Sequence, residues 1–131
     1  MSILKRNIER FFTIEEANDL IPYLEDLVYK ILDIASEIKA QFEKGKSEYD
    51  YEIISKIDSI NKLFAEIENK GCYYRDWTFK IGLVDFPTII DNRLAYFCWK
   101  YGEKEIIYYH FSDEGFTQRK SLEKIKISRF N

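Results

Sequence analysis

The feature that most constrains the fold is a change in hydrophobic period at Gly71. Before Gly71, apolar residues recur every three or four positions over two long stretches, a spacing that places them on one face of a helix. After it, aromatic and β-branched residues crowd into short runs that are typical of strands. The sequence therefore predicts an α+β fold, with a long antiparallel helical hairpin followed by a small antiparallel β-sheet.

The first helical stretch begins beside Thr13, which forms a capping-box pattern with Glu16 three residues later. Its apolar positions then follow in helical steps from Ala17 to Phe42. Pro22 interrupts this stretch, because proline lacks a backbone donor and clashes with the preceding turn. We therefore expect either a kink at Pro22 or a short leading helix, followed by a second helix with Pro22 in its first turn.

A second helical stretch follows the polar segment 44–50, and Gly71 is placed to end it as a left-handed cap. Its apolar face comprises Ile53, Ile54, Ile57, Ile60, Leu63, Phe64 and Ile67. Two antiparallel helices joined by a short loop form a hairpin, and the apolar stripes of this one are wide. Either the sheet or a second copy of the chain must cover them, so we expect a homodimer through the helical hairpin.

The β half contains the stretches "CYYRDWTFKIGL" and "RLAYFCWKYGEKEIIYYHF". The second reads as a hairpin with Gly102 near its turn, and Pro87 and the pair Asp91-Asn92 mark the connection before it. His110 is the chain's only histidine, and the alternation predicts that it shares a strand face with Ile106 and Tyr108. That face looks either into a cleft or toward the helices, and the sequence favours the helices.

We predict a single domain over residues 1–131. Residues 10–70 form the helical hairpin, residues 71–122 form the sheet, and residues 123–131 form a tail. The tail alternates at Ile125 and Ile127, a pattern that fits an edge strand or a loose end.

Charge and hydropathy exclude several classes of protein. The net charge of −3 argues against non-specific nucleic-acid binding, which depends on phosphate neutralisation by Lys and Arg. The chain has no apolar run near the ~20 residues that span a bilayer and no signal-peptide run. We therefore expect a cytoplasmic protein with reduced thiols, in which Cys98 is an inert core thiol and Cys72 is the less buried one.

The candidate polar site lies in the β half and combines carboxylates, an imidazole and a guanidinium, with a thiol as a possible member. Its members are Asp85, Glu103, His110, Glu114 and Arg119, with Cys98 beside them. Such groups suit a divalent metal, since carboxylate and neutral imidazole are ordinary ligands of Zn, Mn or Fe. They also suit a general acid or base beside an anion-binding arginine. The spacing matches no known catalytic motif, so the reaction, the metal and the cofactor stay unknown.

Each of these residues also has a purely structural interpretation. Glu103 stands at a hairpin turn, and the Asp85 side chain is suited to cap a tight turn. Arg119 is placed to pair with Asp85 or Glu114. His110 then becomes a sheet residue bonded to a carboxylate or a carbonyl, and we favour that structural role.

Five motifs in a fixed order carry a resemblance to a known family: "RFFTIEEANDLIP", "GCYYRD", "GLVDFP", "FCWKYGE" and "YYHFSDEGFTQR". Over roughly 10–122 the chain resembles the uncharacterised prokaryotic family catalogued as domain of unknown function 2203. The resemblance implies a shared fold and no assigned activity. Tyr109 stands where the family often has tryptophan. The family's signature positions fall on Gly82, Asp85, Phe86, Pro87, Cys98, Trp99, Gly102, Glu103, His110, Gly115, Phe116 and Arg119.

Two functions are compatible with these observations. The first is a homo-oligomeric binding or scaffold module that pairs through its helices. The alternative is a small-ligand or metal-binding protein, or an enzyme, with its site around Asp85, Glu103, His110 and Arg119.

Overall fold

The structure is a computed structural model that describes residues 8 and 10–123. The helices come first: α1 (Ile14–Asp19), α2 (Ile21–Glu43) and α3 (Tyr51–Asn69). The strands follow: β1 (Tyr73–Tyr74), β2 (Leu83–Ile90), β3 (Arg93–Lys100), β4 (Tyr108–Phe111) and β5 (Lys120–Ser121). A short 3-10 helix, Phe116–Gln118, lies between the last two strands. The strands form one antiparallel sheet in chain order, which confirms the α+β class.

The helix boundaries follow the capping signals. The Thr13 hydroxyl accepts from the Glu16 amide and the Glu16 carboxylate accepts from the Thr13 amide, so the capping box is formed. Pro22 lies in the first turn of α2, which confirms the second of the two alternatives for this region. Gly71 follows α3 with φ +91°, the left-handed conformation that glycine adopts without strain. Among the described residues, no helix has the length and apolarity to cross a membrane.

The helices pack on one face of the sheet. Phe12 meets Phe86 edge-on at 5.3 Å between ring centroids, and Phe64 of α3 stacks on Tyr74 at 5.2 Å. The buried residues of α2 all lie in its first half, ending at Ile31. Beyond Ile31 the burial of α2 is incomplete: Ala35 and Ile38 are only partly buried and pack against the core, while Ile53 of α3 is fully buried.

The strand β2 corrects the prediction for Pro87, which lies inside a strand and not in a connection. Proline is tolerated because β1 pairs with only Asp85 and Val84, so that β2 is an edge strand at Pro87. The Pro87 carbonyl accepts from the Phe12 amide at 2.8 Å.

The turn between β2 and β3 is the predicted Asp91-Asn92 pair. Both residues have positive φ, 52° and 60°, as a two-residue turn between twisted strands requires.

Residues 75–82 form a loop where the aromatic content suggested strand. Its centre is Asp76, whose carboxylate accepts from the amides of Thr78, Lys80, Ile81 and Gly82 and from the Thr78 hydroxyl. Burial raises the pKa of Asp76, but these hydrogen bonds outweigh it and lower the pKa to about 2. The loop rests against α2 at Gly82, where a Cβ atom would come within 2.6 Å of Val28. Only glycine fits that approach.

The predicted edge strand of the tail, with Ile125 and Ile127, lies outside the described residues.

Candidate functional site

The candidate site lies on the sheet face that points away from the helices. Asp85 of β2 pairs with Cys98 of β3, and Tyr96 of β3 pairs with His110 of β4. Side chains alternate between faces along a strand, so these four lie opposite the core residues. The expectation that His110 faces the helices is wrong. The neighbours of His110 along β4, Tyr109 and Phe111, belong to the helix-side core instead. So does Ile106, which precedes β4, and the prediction that it shares the face of His110 is wrong.

His110 is held at both ring nitrogens. Nε2 lies 3.0 Å from Oδ2 of Asp85, and Nδ1 lies 2.9 Å from the Phe111 carbonyl oxygen. A carbonyl oxygen and an ionised carboxylate only accept hydrogen bonds, so beside an ionised Asp85 the ring donates from both nitrogens as an imidazolium. Burial lowers the pKa of His110, but the hydrogen bond and charge of Asp85 outweigh that effect and raise it. The pair is a buried ion pair, and both residues are 5% exposed.

A second cation pairs with the same carboxylate oxygen of Asp85. Arg75 Nε lies 3.4 Å from Asp85 Oδ2, and its guanidinium lies 5.3 Å from the Tyr96 ring centroid. Tyr96 in turn packs against His110, with ring centroids 5.5 Å apart. Asp85 therefore lies within a strand and is the shared anion of two cations. The prediction that its side chain caps a turn is wrong.

Glu103 and Arg119 form a second ion pair on the same face. Arg119 Nη1 lies 3.3 Å from Glu103 Oε2, and the guanidinium lies 4.1 Å from the Tyr108 ring centroid. Among the described residues, the ion-pair partner of Arg119 is therefore Glu103. The prediction that Arg119 pairs with Asp85 or Glu114 is wrong. Glu103 also closes the turn after β3, since its carboxylate accepts from the Lys100 amide at 2.7 Å. Its turn role and its pairing role coexist.

The Cys98 thiol interacts with one member of each ion pair, Asp85 and Arg119. Its side chain is 1% exposed. Burial and the Asp85 carboxylate raise the pKa of the thiol, and Arg119 on the other side lowers it, with a net increase. A thiol with a raised pKa is a poor nucleophile, which argues against covalent catalysis. Cys72 is fully buried as well, so the prediction that it is the less buried thiol is wrong.

Glu114 stands apart from the other candidates. Its carboxylate accepts from the Phe111 amide at 2.9 Å and forms an ion pair with Lys120. The Lys120 ammonium lies over the rings of Tyr109 and Phe111, which belong to the helix-side core. The structure therefore brings together Asp85, Cys98, Glu103, His110 and Arg119, and it leaves Glu114 outside.

A family model described as "Uncharacterized conserved protein (DUF2203)" matches residues 10–122. The chain belongs to this family. The match covers all three helices and all five strands, and it confirms the resemblance drawn from the motifs. No curated protein and no solved structure matches the chain.

The DUF2203 motifs account for most of this sheet face. "GLVDFP" supplies Asp85, "FCWKYGE" supplies Cys98 and Glu103, and the last motif supplies His110 and Arg119. Sequence reasoning missed Arg75 and Tyr96. The sequence did contain a signal for Arg75, because this residue belongs to the "GCYYRD" motif. Tyr96 had none beyond its place two residues before Cys98 on the same strand.

Proposed function

We propose that this DUF2203 protein is a homodimeric binding module that pairs through the outer half of its helical hairpin. The carrying observation is an open apolar groove of about 810 Å³ along the seam of α2 and α3. Its apolar lining comprises Ala35, Ile38, Phe42, Ile57, Ile60, Phe64 and Phe79. Nearer the sheet, the same hairpin face is covered by the core. A second copy would continue that layer.

The rim of the groove suits a second copy of the chain. Lys39, Glu43 and Lys80 lie around it, so one patch carries both signs of charge. In a two-fold dimer the same patch meets itself, and a patch with both signs is able to place acidic groups against basic ones. The small net charge of −3 opposes such pairing only weakly.

An exposed tryptophan adds an anchor beside the groove. Trp77 is 64% exposed and packs edge-on against Phe64 at 5.7 Å between ring centroids. The loop that carries it is fixed by the hydrogen bonds of Asp76. Tryptophans held in a rigid position are frequent centres of protein interfaces, because little entropy is lost when they are buried.

We also propose that the dimer resides in the cytoplasm. Both Cys72 and Cys98 are free thiols, and unpaired cysteines are typical of reducing compartments.

The dimer is tested with two matched isoleucines on α3. Ile57 lines the groove and is 42% exposed, while Ile54 is 49% exposed on the same helix and does not line it. Lysine at Ile57 introduces a charge into the interface, so Ile57→Lys is expected to weaken dimerisation at least tenfold, a cost of about 1.4 kcal/mol. Ile54→Lys is expected to weaken it less, since Ile54 lies one helical turn before Ile57 and outside the groove lining. Sedimentation at micromolar concentration measures both.

Tryptophan fluorescence gives an independent reading of the same equilibrium. Trp99 is fully buried, so a concentration-dependent blue shift reports on Trp77 entering the interface. A wild-type protein that is monomeric at micromolar concentration contradicts the proposal. Equal effects of Ile54→Lys and Ile57→Lys contradict the assignment of the groove as the interface.

A further inference from the structure

The sheet face away from the helices holds three metal-ligating groups of different chemistry. We propose that Asp85, Cys98 and His110 bind one transition-metal ion of the zinc type, a function separate from dimerisation. One ligand atom from each residue, a carboxylate oxygen, the sulfur and a ring nitrogen, lies within 4.8 Å of the other two.

Three neighbouring strands hold these ligands. Asp85 lies opposite Cys98 across β2 and β3, and His110 follows on β4 two residues after Tyr108, the partner of Cys98. In a tetrahedral zinc site with bonds of roughly 2.0–2.3 Å, ligand atoms lie about 3.3–3.5 Å apart. The His110 and Asp85 atoms are already 3.0 Å apart. The widest separation is at most 4.8 Å, so it has to close by about 1.5 Å at most when the ion binds.

The orientation of His110 is that of a metal ligand. Nδ1 is hydrogen-bonded to the Phe111 carbonyl at 2.9 Å, so Nε2 points at Asp85. Histidines that bind metals commonly donate their second ring nitrogen to a backbone carbonyl in this way, which fixes the ring and leaves the other nitrogen for the metal. Phe111 is not one of the three proposed ligands, so its hydrogen bond to His110 Nδ1 is compatible with metal binding at Nε2.

The donor set indicates which metal binds. A thiolate and an imidazole are soft or borderline ligands that favour Zn²⁺ or Co²⁺ over Mg²⁺ and Ca²⁺, which prefer oxygen. Metal ligands are deprotonated, so binding of the ion releases any proton carried by the Cys98 sulfur and by His110 Nε2.

Three protein ligands leave one coordination position of a tetrahedral ion for water or another small ligand. That arrangement is the one found in catalytic zinc sites, whereas structural sites use four protein ligands. The side chains of the three residues are at most 7% exposed, so any exchangeable ligand would sit in a largely dry environment.

Cobalt is the probe, because a thiolate bound to Co²⁺ gives a charge-transfer absorption in the near ultraviolet. The full-length chain is treated with a chelator, dialysed and titrated with Co²⁺, and then the ion is displaced with Zn²⁺. We expect one Co²⁺ per chain and a thiolate band that Cys98→Ala abolishes. Cys72→Ala is the matched control, since it removes the other buried thiol and is expected to keep the band.

A second variant separates loss of a ligand from loss of folding. Asp85→Asn keeps the shape of the side chain, and it is expected to weaken Co²⁺ binding at least a hundredfold, more than loss of a supporting group usually costs. Circular dichroism checks that each variant is folded. If Cys98→Ala is unfolded, the thermal shift of the wild type with Zn²⁺ decides, because an ion that binds the native state raises the unfolding temperature. Absence of both band and shift, or a band retained in folded Cys98→Ala, overturns the proposal.

Discussion

Replacing Asp85 with alanine is expected to lower the free energy of unfolding by about 3–5 kcal/mol, the range for breaking a buried ion pair. Asp85 is 5% exposed and is the shared anion of His110, at 3.0 Å, and Arg75, at 3.4 Å. Without it, the buried His110 and the partly exposed Arg75 lose their shared anion. The measurement is urea unfolding at pH 7 in chelator-containing buffer, at one protein concentration, since dimerisation also contributes to stability.

Two further variants make the Asp85 result interpretable. The Asp113 carboxylate lies 3.8 Å from Arg93 and its side chain is 75% exposed, so Asp113→Ala is expected to cost less than about 1 kcal/mol. The double variant Asp85→Leu with His110→Phe removes both charges of the buried pair and leaves only the partly exposed Arg75 without Asp85, so it is expected to regain part of the stability that Asp85→Ala loses. A cost for Asp85→Ala no larger than that of Asp113→Ala would show that the ion pair does not stabilise the sheet.

Replacing Asp76 with asparagine is expected to cost about 2–4 kcal/mol. The carboxylate accepts from four backbone amides and one hydroxyl, and charge-assisted bonds of this kind contribute about 1.5–3 kcal/mol each. Asparagine keeps the shape but turns an amino group toward some of these donors. Asp50→Asn is the matched control, because Asp50 accepts from one amide at the start of α3, where asparagine caps equally well.

The Asp76 cost is expected to depend on pH. The folded-state pKa of Asp76 is about 2, below the ordinary value of 3.8, so its ionised form stabilises the folded state above pH 3.8. That contribution is lost as the pH falls through 4 toward 2. The difference between wild type and Asp76→Asn is therefore expected to shrink by about 2 kcal/mol over this range. A difference that stays constant from pH 7 to pH 2 would contradict the role given to the Asp76 charge.

The helical half of the fold could be predicted because its signals are local. Thr13 and Glu16 are three residues apart, and Pro22 and Gly71 limit where helices begin and end regardless of the remaining chain. The strand β2 was missed because Pro87 reads as a turn. Only the shortness of β1, which leaves that edge of β2 open to Phe12, makes a proline acceptable there. That fact is tertiary and has no local sequence pattern.

The sequence predicted which residues belong to the candidate site, but not which of them pair with each other. In "YYHF" rings occupy both strand faces, so hydrophobic alternation does not reveal which face of β4 turns toward the helices. Arg119 and Glu103 are 16 residues apart, so their pairing depends on the path that the chain takes through β4 and the segment after it. The role of Asp76 was invisible, because its partners are backbone amides and amides carry no sequence signature.

The sheet order has a consequence for how the chain folds. Each strand pairs only with its neighbours along the chain, and the helical hairpin is equally local, so most of the structure forms by closing short loops. Long-range exceptions include Phe12, whose backbone reaches Pro87 and, 76 residues away, Thr88, and Asn18, whose side chain accepts from the Ile106 amide 88 residues away. Closing the long loop between Phe12 and β2 costs more conformational entropy than closing the short loops. The contacts that offset this cost form only once β2 is in place. Low contact order favours fast folding, and the attachment of Phe12 to the sheet edge is the natural last step.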